Sequence, residues 1–237
     1  MSYKVLYTNG DSWTYGDEIT HPTNEVNDDT TRYYNTWPWI LSQELNIGVC
    51  INEALPGRSN YRIFRRTLDF IFKWLERGKN PKDLMIVIGW TTPERYEIPV
   101  ENRVGKSTYA NLLVNIPLYE KNKYSPEVIK KINQFNNLYY ELVDVNKLNE
   151  MMVLQMKTLR DICKHHEIGY FDFFTLLPDP LKFKSEYGNI FKNLFDKSFM
   201  ITTTEKNWSL HTNKHPTIDT QKKWALELKS FINEYNL

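Results

Sequence analysis

The spacing of apolar residues changes several times along the chain, and each change predicts an element. Tyr3 to Thr8 (YKVLYT) mixes β-branched and aromatic residues and runs into the turn cluster NGDS, which reads as a strand ending at a sharp loop. Residues 17 to 36 are polar and turn-rich and read as a surface loop. Trp37 to Leu45 (WPWILSQEL) has Pro at a helix-start position and apolar residues at helical spacing, predicting a short helix. Ile47 to Leu55 (IGVCINEAL) is a second strand. Ser59 and Asn60 then offer N-caps for a helix over Tyr61 to Arg77, with Phe64, Leu68, Ile71 and Leu75 on one stripe. Asp83 to Trp90 (DLMIVIGW) is a continuous apolar run, as expected of a buried parallel strand.

Residues 91 to 125 hold few periodic apolar positions and read as an irregular insertion. Two helical stretches follow from Pro126 to His166, then a fourth strand at Gly169 to Leu176 (GYFDFFTL). Residues 178 to 214 are turn-rich, and a helix over Ile218 to Tyr235 closes the chain. This alternation predicts a single α/β domain over residues 1–237, with a parallel sheet covered on both faces. In such a sheet functional residues gather beyond the C-terminal strand ends, which here carry Ser12, Gly57 and Thr91.

Composition narrows the function classes. The 30 Lys+Arg and 29 Asp+Glu leave a net charge of +1, so no bulk field draws nucleic acid or an anionic membrane. Hydrophobic residues at 41% and charged residues at 25% are globular values. The run Leu84 to Ile88 is far too short to cross a bilayer, and MSYKVLYTNG lacks the pattern of a signal peptide. Cys50 and Cys163 therefore read as reduced thiols, and the expectation is a cytoplasmic protein. Only three alanines (Ala54, Ala110, Ala225) occur beside abundant Asn, Lys, Tyr and Ile, a composition of AT-rich genomes such as those of bacteriophages or low-GC bacteria.

Four segments carry candidate chemistry. Gly10-Asp11-Ser12 follows the first strand and sets a Ser on a tight turn; its hydroxyl is a nucleophile only with a base in reach and backbone N–H groups facing the developing oxyanion. Taken alone, the same segment is an ordinary helix cap. Gly57 follows the second strand where backbone must approach closely, Gly89-Trp90-Thr91-Thr92 ends the third, and His215-Pro216 opens the final helix. In this order these pieces resemble the SGNH (GDSL-type) serine hydrolases, from Tyr3 to about Ala225, with 91 to 165 poorly covered. The resemblance implies a three-layer, flavodoxin-like fold without a cofactor or metal. It makes Ser12 the nucleophile and His215 the general base, with the Ser12 and Gly57 amides in the oxyanion hole. Asp11, Trp13, Trp90, Thr92 and Arg95 are candidate substrate contacts.

Two positions depart from the family pattern. The family's oxyanion Asn falls on Thr91, and loss of such a donor lowers rates on the order of 10²–10³ unless Asn60 or the Thr92 hydroxyl replaces it. The family's acid, three residues before the His, falls on Thr212; disabling that acid in a triad lowers rates about 10⁴-fold. A backbone carbonyl or His211 would then have to orient His215.

The leading expectation is a serine esterase or deacylase acting on a small acyl ester of a sugar or nucleoside. The alternatives are a fold-retaining binding protein, its pocket lined by Trp13, Tyr15 and Trp90, and an acyltransferase. Gly105-Lys106-Ser107-Thr108 copies the tail of a phosphate loop, but Val100 stands where the pattern needs Gly, and an exposed turn accounts for it. Cys163, His165, His166, His211 and His215 lack the spacing of a metal set. Arg58, Arg62, Arg65 and Arg66 form a basic stripe, read as a solvated helix face. Glu94 and Arg95 read equally as an ion pair or as substrate contacts.

Overall fold

The computed structural model describes residues 3–19, 29–101, 107–112, 125–176, 194–211 and 215–235. Five parallel strands form the central sheet: β1 (Val5–Asn9), β2 (Val49–Asn52), β3 (Leu84–Trp90), β6 (Gly169–Phe174) and β7 (Leu194–Ser198). Their order is β2-β1-β3-β6-β7, so the chain leaves β1 for one side and returns to the other through β3. That reversal between β1 and β3 opens a crevice at the C-terminal ends of the strands, the usual ligand position in open α/β sheets.

Helices cover both faces. On one side lie α4 (Asn60–Glu76) and α6 (Val145–His165), while α5 (Pro126–Leu142) stacks its Tyr139 on Tyr96; on the other side lie α1 (Ser12–Tyr15), α2 (Asp29–Tyr34), α3 (Trp37–Glu44), α7 (Phe199–Glu205) and α8 (Ile218–Tyr235). Strand alternation divides the core accordingly. Tyr7, Leu84, Ile86, Ile88 and Trp90 meet Ile63, Ile71, Met152, Met156 and Leu159 of α4 and α6. Leu6, Met85, Val87, Phe171 and Phe173 meet Trp37, Leu41, Phe199, Trp224 and Leu228. Ser59 caps α4 by accepting from the Arg62 N–H at 3.2 Å.

Three sequence expectations need correction. The segment read as a surface loop over 17–36 contains α2. The segment 91–125, read as irregular, contains an antiparallel hairpin of β4 (Tyr96–Glu101) and β5 (Ser107–Leu112). Its period-two signal was interrupted by Pro99, which usually argues against a strand but is tolerated in this two-stranded sheet. Within the turn-rich stretch 178–214 lie β7 and α7, whose short LFDKSF segment has little periodicity to show. Residues Gly105 and Lys106 of the phosphate-loop look-alike, and Thr212, lie outside the described residues. No described helix is long and apolar enough to cross a membrane.

Candidate active site

The first turn beyond β1 is seated by two glycines. A Cβ on Gly10 would lie 2.3 Å from Thr14 Oγ1 and 3.0 Å from the Gly89 carbonyl oxygen. One on Gly89 would lie 2.8 Å from the same hydroxyl, so Thr14 packs down between the two strand ends only because both positions lack a side chain. Asp11 caps α1, its carboxylate accepting the Trp13 N–H at 3.1 Å. Ser12 is thereby the first residue of this short helix, 7% exposed at the sheet edge.

The β2 exit runs alongside. The Glu53 N–H donates to the Thr8 carbonyl at 3.0 Å and the Leu55 N–H to the Gly10 carbonyl at 3.4 Å. Asn52 Nδ2 donates to the Thr14 carbonyl at 2.9 Å, tying this loop to α1. The loop carries Gly57 at φ 68°, a left-handed conformation that favours glycine. Among the described residues, no hydrogen bond takes the backbone N–H of Ser12 or Gly57.

The β3 exit is held by Asn60 at the start of α4. Asn60 Oδ1 accepts the Thr91 N–H at 2.9 Å, and Nδ2 donates to the Thr91 carbonyl at 3.0 Å, the Thr92 carbonyl at 3.4 Å and Met152 Sδ at 3.0 Å. The Thr91 hydroxyl donates to Asp11 Oδ2 at 3.0 Å, and Arg95 Nη1 lies 3.3 Å from the same oxygen. Two of the side-chain groups expected to face the oxyanion are therefore committed elsewhere, Asn60 to the loop backbone and Thr91 to Asp11. Burial pushes the Asp11 carboxyl above its ordinary range, while the Arg95 charge and the Thr91 hydrogen bond pull it back down.

His215 reaches this edge through α8. Gln221 Nε2 donates to the Trp13 carbonyl at 2.9 Å and its Oε1 accepts the Trp37 N–H at 2.9 Å, pinning the start of α8 against α1 and α3. Pro216 bridges to Leu210, and the His211 N–H donates to the His215 carbonyl at 2.8 Å. His211 thus holds the loop backbone rather than the imidazole. The ring partner is Glu18, whose Oε2 lies 2.8 Å from His215 Nδ1. On the other side of the ring, His215 Nε2 lies 4.0 Å from Asp17 Oδ2. The Asp17 N–H in turn donates to the Ser12 carbonyl at 3.0 Å. Burial raises the Asp17 carboxyl, and nearby His215 acts against that rise.

Nothing local in the sequence marks Glu18 as a partner of His215, since the two lie 197 positions apart. Its one local mark is a left-handed backbone at φ 59°, visible only in the folded chain. The proposed aromatic lining is also corrected. Trp13 is buried edge-on against Phe199, and Trp90 is fully buried with Nε1 donating to Asp172 at 3.2 Å. Tyr15 lies under the Arg32 guanidinium, 3.7 Å from the ring centre. The arginine stripe is likewise more than a solvated face. Arg58 and Arg65 flank the buried Glu97 of β4 at 4.0 and 3.8 Å, and Arg66 pairs with Glu53 at 3.1 Å. Burial beside Arg58 lowers the Arg62 guanidinium to about 10. A cavity of about 230 Å³ opens beside Arg95, lined by Tyr61, Tyr96, Leu148, Met151 and Met152. No group of three His, Cys, Asp or Glu that could hold a metal occurs among the described residues.

The parallel sheet, its strand order and the helices on both faces are those of the SGNH-hydrolase fold, and solved structures agree. The psychrotrophic esterase EstA from Pseudoalteromonas sp. superposes with a TM-score of 0.52 over 98% of each chain at 9% identity. TesA gives a TM-score of 0.52 over 97% of this chain and 98% of its own, at 8% identity. A carbohydrate esterase family 2 enzyme from Corynascus thermopiles (Myceliophthora fergusii) gives 0.53 over 98% of this chain and 66% of its own, at 14% identity. At such identities the likeness is one of fold. No curated protein matches the sequence. Residues 20–237 match the family described as "Family of unknown function (DUF6071)", and the chain belongs to that family.

Proposed function

We propose that this protein is a serine esterase or deacylase in which Ser12 is the nucleophile and His215 the general base. The observation that carries the reading is the turn joining the two. Asp17 binds the Ser12 carbonyl through its N–H and lies 4.0 Å from His215 Nε2 through its carboxylate, so that nitrogen faces the Ser12 turn. Because Nδ1 meets a carboxylate, Nδ1 carries the proton and Nε2 is left as the basic nitrogen. Ser12 Oγ attacks the ester carbonyl as its proton passes to Nε2, and the alcohol leaves with that proton. Water, deprotonated by Nε2, then attacks the acyl-enzyme and releases the acid. The Ser12 and Gly57 N–H groups hold the oxyanion.

With Thr91 standing where the SGNH pattern has Asn, a charged donor close to Asp11 is Arg95, which also lines the cavity. That cavity is smaller than the pockets of about 300–1,000 Å³ that hold drug-sized ligands, and so suits a short acyl group or one sugar ring. Its apolar wall of Leu148, Met151 and Met152 favours the acyl part. The acceptor in the second step can be a sugar hydroxyl instead of water, which would make the enzyme an acyltransferase.

A second reading has its own observation. The Thr91 hydroxyl and the Asn60 amide are both committed to Asp11 and to backbone, which favours a fold-retaining binding protein with impaired turnover. A fluorophosphonate probe separates the two. The expected result is a single adduct on Ser12 by mass spectrometry, absent from Ser12→Ala and lost in His215→Ala. A folded wild-type protein that takes no label over hours, and hydrolyses no p-nitrophenyl acetate, favours the binding reading.

A further inference from the structure

We infer that Glu18, from the turn after α1, is the positioning acid of His215, taking the part that the SGNH pattern gives to a residue three before the histidine. The inference rests on the esterase reading above and adds to it the group that sets the imidazole's tautomer and direction. Three observations converge on it. Glu18 Oε2 is 2.8 Å from His215 Nδ1, hydrogen-bond distance for a charge-assisted pair. Glu18 holds a left-handed backbone at φ 59°, uncommon for a residue with a Cβ, which turns the chain directly after α1. The same turn is anchored to the nucleophile's helix, since the Gly16 and Asp17 N–H groups both donate to the Ser12 carbonyl at 3.0 Å. The turn that carries Glu18 is therefore tied to the nucleophile's helix, and His215 meets that turn from the far end of the chain.

The chemistry follows from which nitrogen is engaged. A carboxylate at Nδ1 keeps the proton there in the neutral ring, leaves Nε2 as acceptor for the Ser12 hydroxyl, and steadies the imidazolium once Nε2 is protonated. Asp17 is the competing carboxylate. It lies 4.0 Å from Nε2, beyond hydrogen-bond range and on the side where the serine proton must arrive, so it is excluded from the orienting part. His211, a further titratable side chain of this loop, meets His215 through backbone.

Four variants of the full chain test this: Glu18→Gln, Glu18→Asp, Asp17→Asn and Ser12→Ala. With p-nitrophenyl acetate as probe, Glu18→Gln is expected to lower kcat on the order of 10²–10⁴-fold while KM moves less than about threefold. The rate of fluorophosphonate labelling at Ser12 falls in parallel. Glu18→Asp restores a measurable part of the loss, and Asp17→Asn loses less than Glu18→Gln. Ring ¹⁵N shifts of His215 supply a readout independent of turnover. The wild type and Ser12→Ala show the Nδ1–H tautomer, and Glu18→Gln shows a mixture of the two. Wild-type rates and shifts in Glu18→Gln, or a larger loss in Asp17→Asn, overturn the inference and leave the esterase reading standing. A wild type that neither labels nor turns over overturns the esterase reading, and Glu18 is then judged on the ring shifts alone.

Discussion

Asn60 pairs with both backbone groups of Thr91, accepting its N–H at 2.9 Å and donating to its carbonyl at 3.0 Å, across 31 residues of sequence. A side-chain amide here behaves as an additional strand neighbour at the point where β3 leaves the sheet. The pair is buried, so neither Thr91 group can turn to water if the amide is removed.

Asn60→Ala should therefore destabilise the fold by about 2–3 kcal/mol, the penalty of stranding buried backbone groups. Urea unfolding should show a lower midpoint with an unchanged m-value. Asn60→Asp should be at least as damaging, since a carboxylate would face the Thr91 and Thr92 carbonyls. A shift under about 0.5 kcal/mol in Asn60→Ala would sink this account.

Gly10→Ala tests the seat of α1. The added methyl would sit 2.3 Å from Thr14 Oγ1 with the Gly89 backbone at 3.0 Å behind it, so the helix must lift. Overpacking of this kind lowers stability by about 1–3 kcal/mol. Gly78→Ala, where nothing lies within 4 Å of the added atom but φ is 63°, controls for backbone strain alone. Fluorophosphonate labelling of Ser12 should slow in Gly10→Ala and stay unchanged in Gly78→Ala.

Asp11 gives stability a pH dependence with a defined sign. Burial outweighs Arg95 and Thr91, so the folded protein holds this proton to higher pH than the unfolded chain does, whose value is the ordinary 3.8. The folded state thus binds more protons in the window that opens at that value and runs upward. The contribution is fully present below it and is lost as pH rises through the raised folded value. Chemical denaturation of wild type and Asp11→Asn at a series of pH values should show the variant's stability gaining on wild type across that window. Removing the opposing charge with Arg95→Met should widen it. A wild-type minus Asp11→Asn difference that is flat with pH would contradict the assignment.

Much of the fold was legible along the chain because its signals are local. The run Leu84 to Ile88 marks a strand buried on both faces, and Ser59 marks the start of α4 by a cap that is present as read. The strand ends at Ser12, Gly57 and Thr91 do share one edge of the sheet. The hairpin β4–β5 was hidden by Pro99, and β7 by its shortness. The basic stripe on α4 could not be told from a solvated face until Glu97 of that hairpin was seen buried against it.

The elements that were legible follow from periodicity, caps and turn chemistry, which act over a few residues and are written in neighbouring positions. The direction in which a polar group points is different, because it depends on partners that the fold brings from far away. Thr91 and Asn60 look like donors awaiting a substrate until Asp11 and the loop backbone are placed beside them. Trp13 and Trp90 look like a stacking surface until both faces of the sheet close over them. His215 lacks an acid in its own segment, and Glu18 becomes its neighbour only when α8 docks on α1 across 197 residues. Hydrogen bonding and burial are properties of the assembled layers, so only the tertiary structure could decide which of these side chains stand at the site and which hold it together.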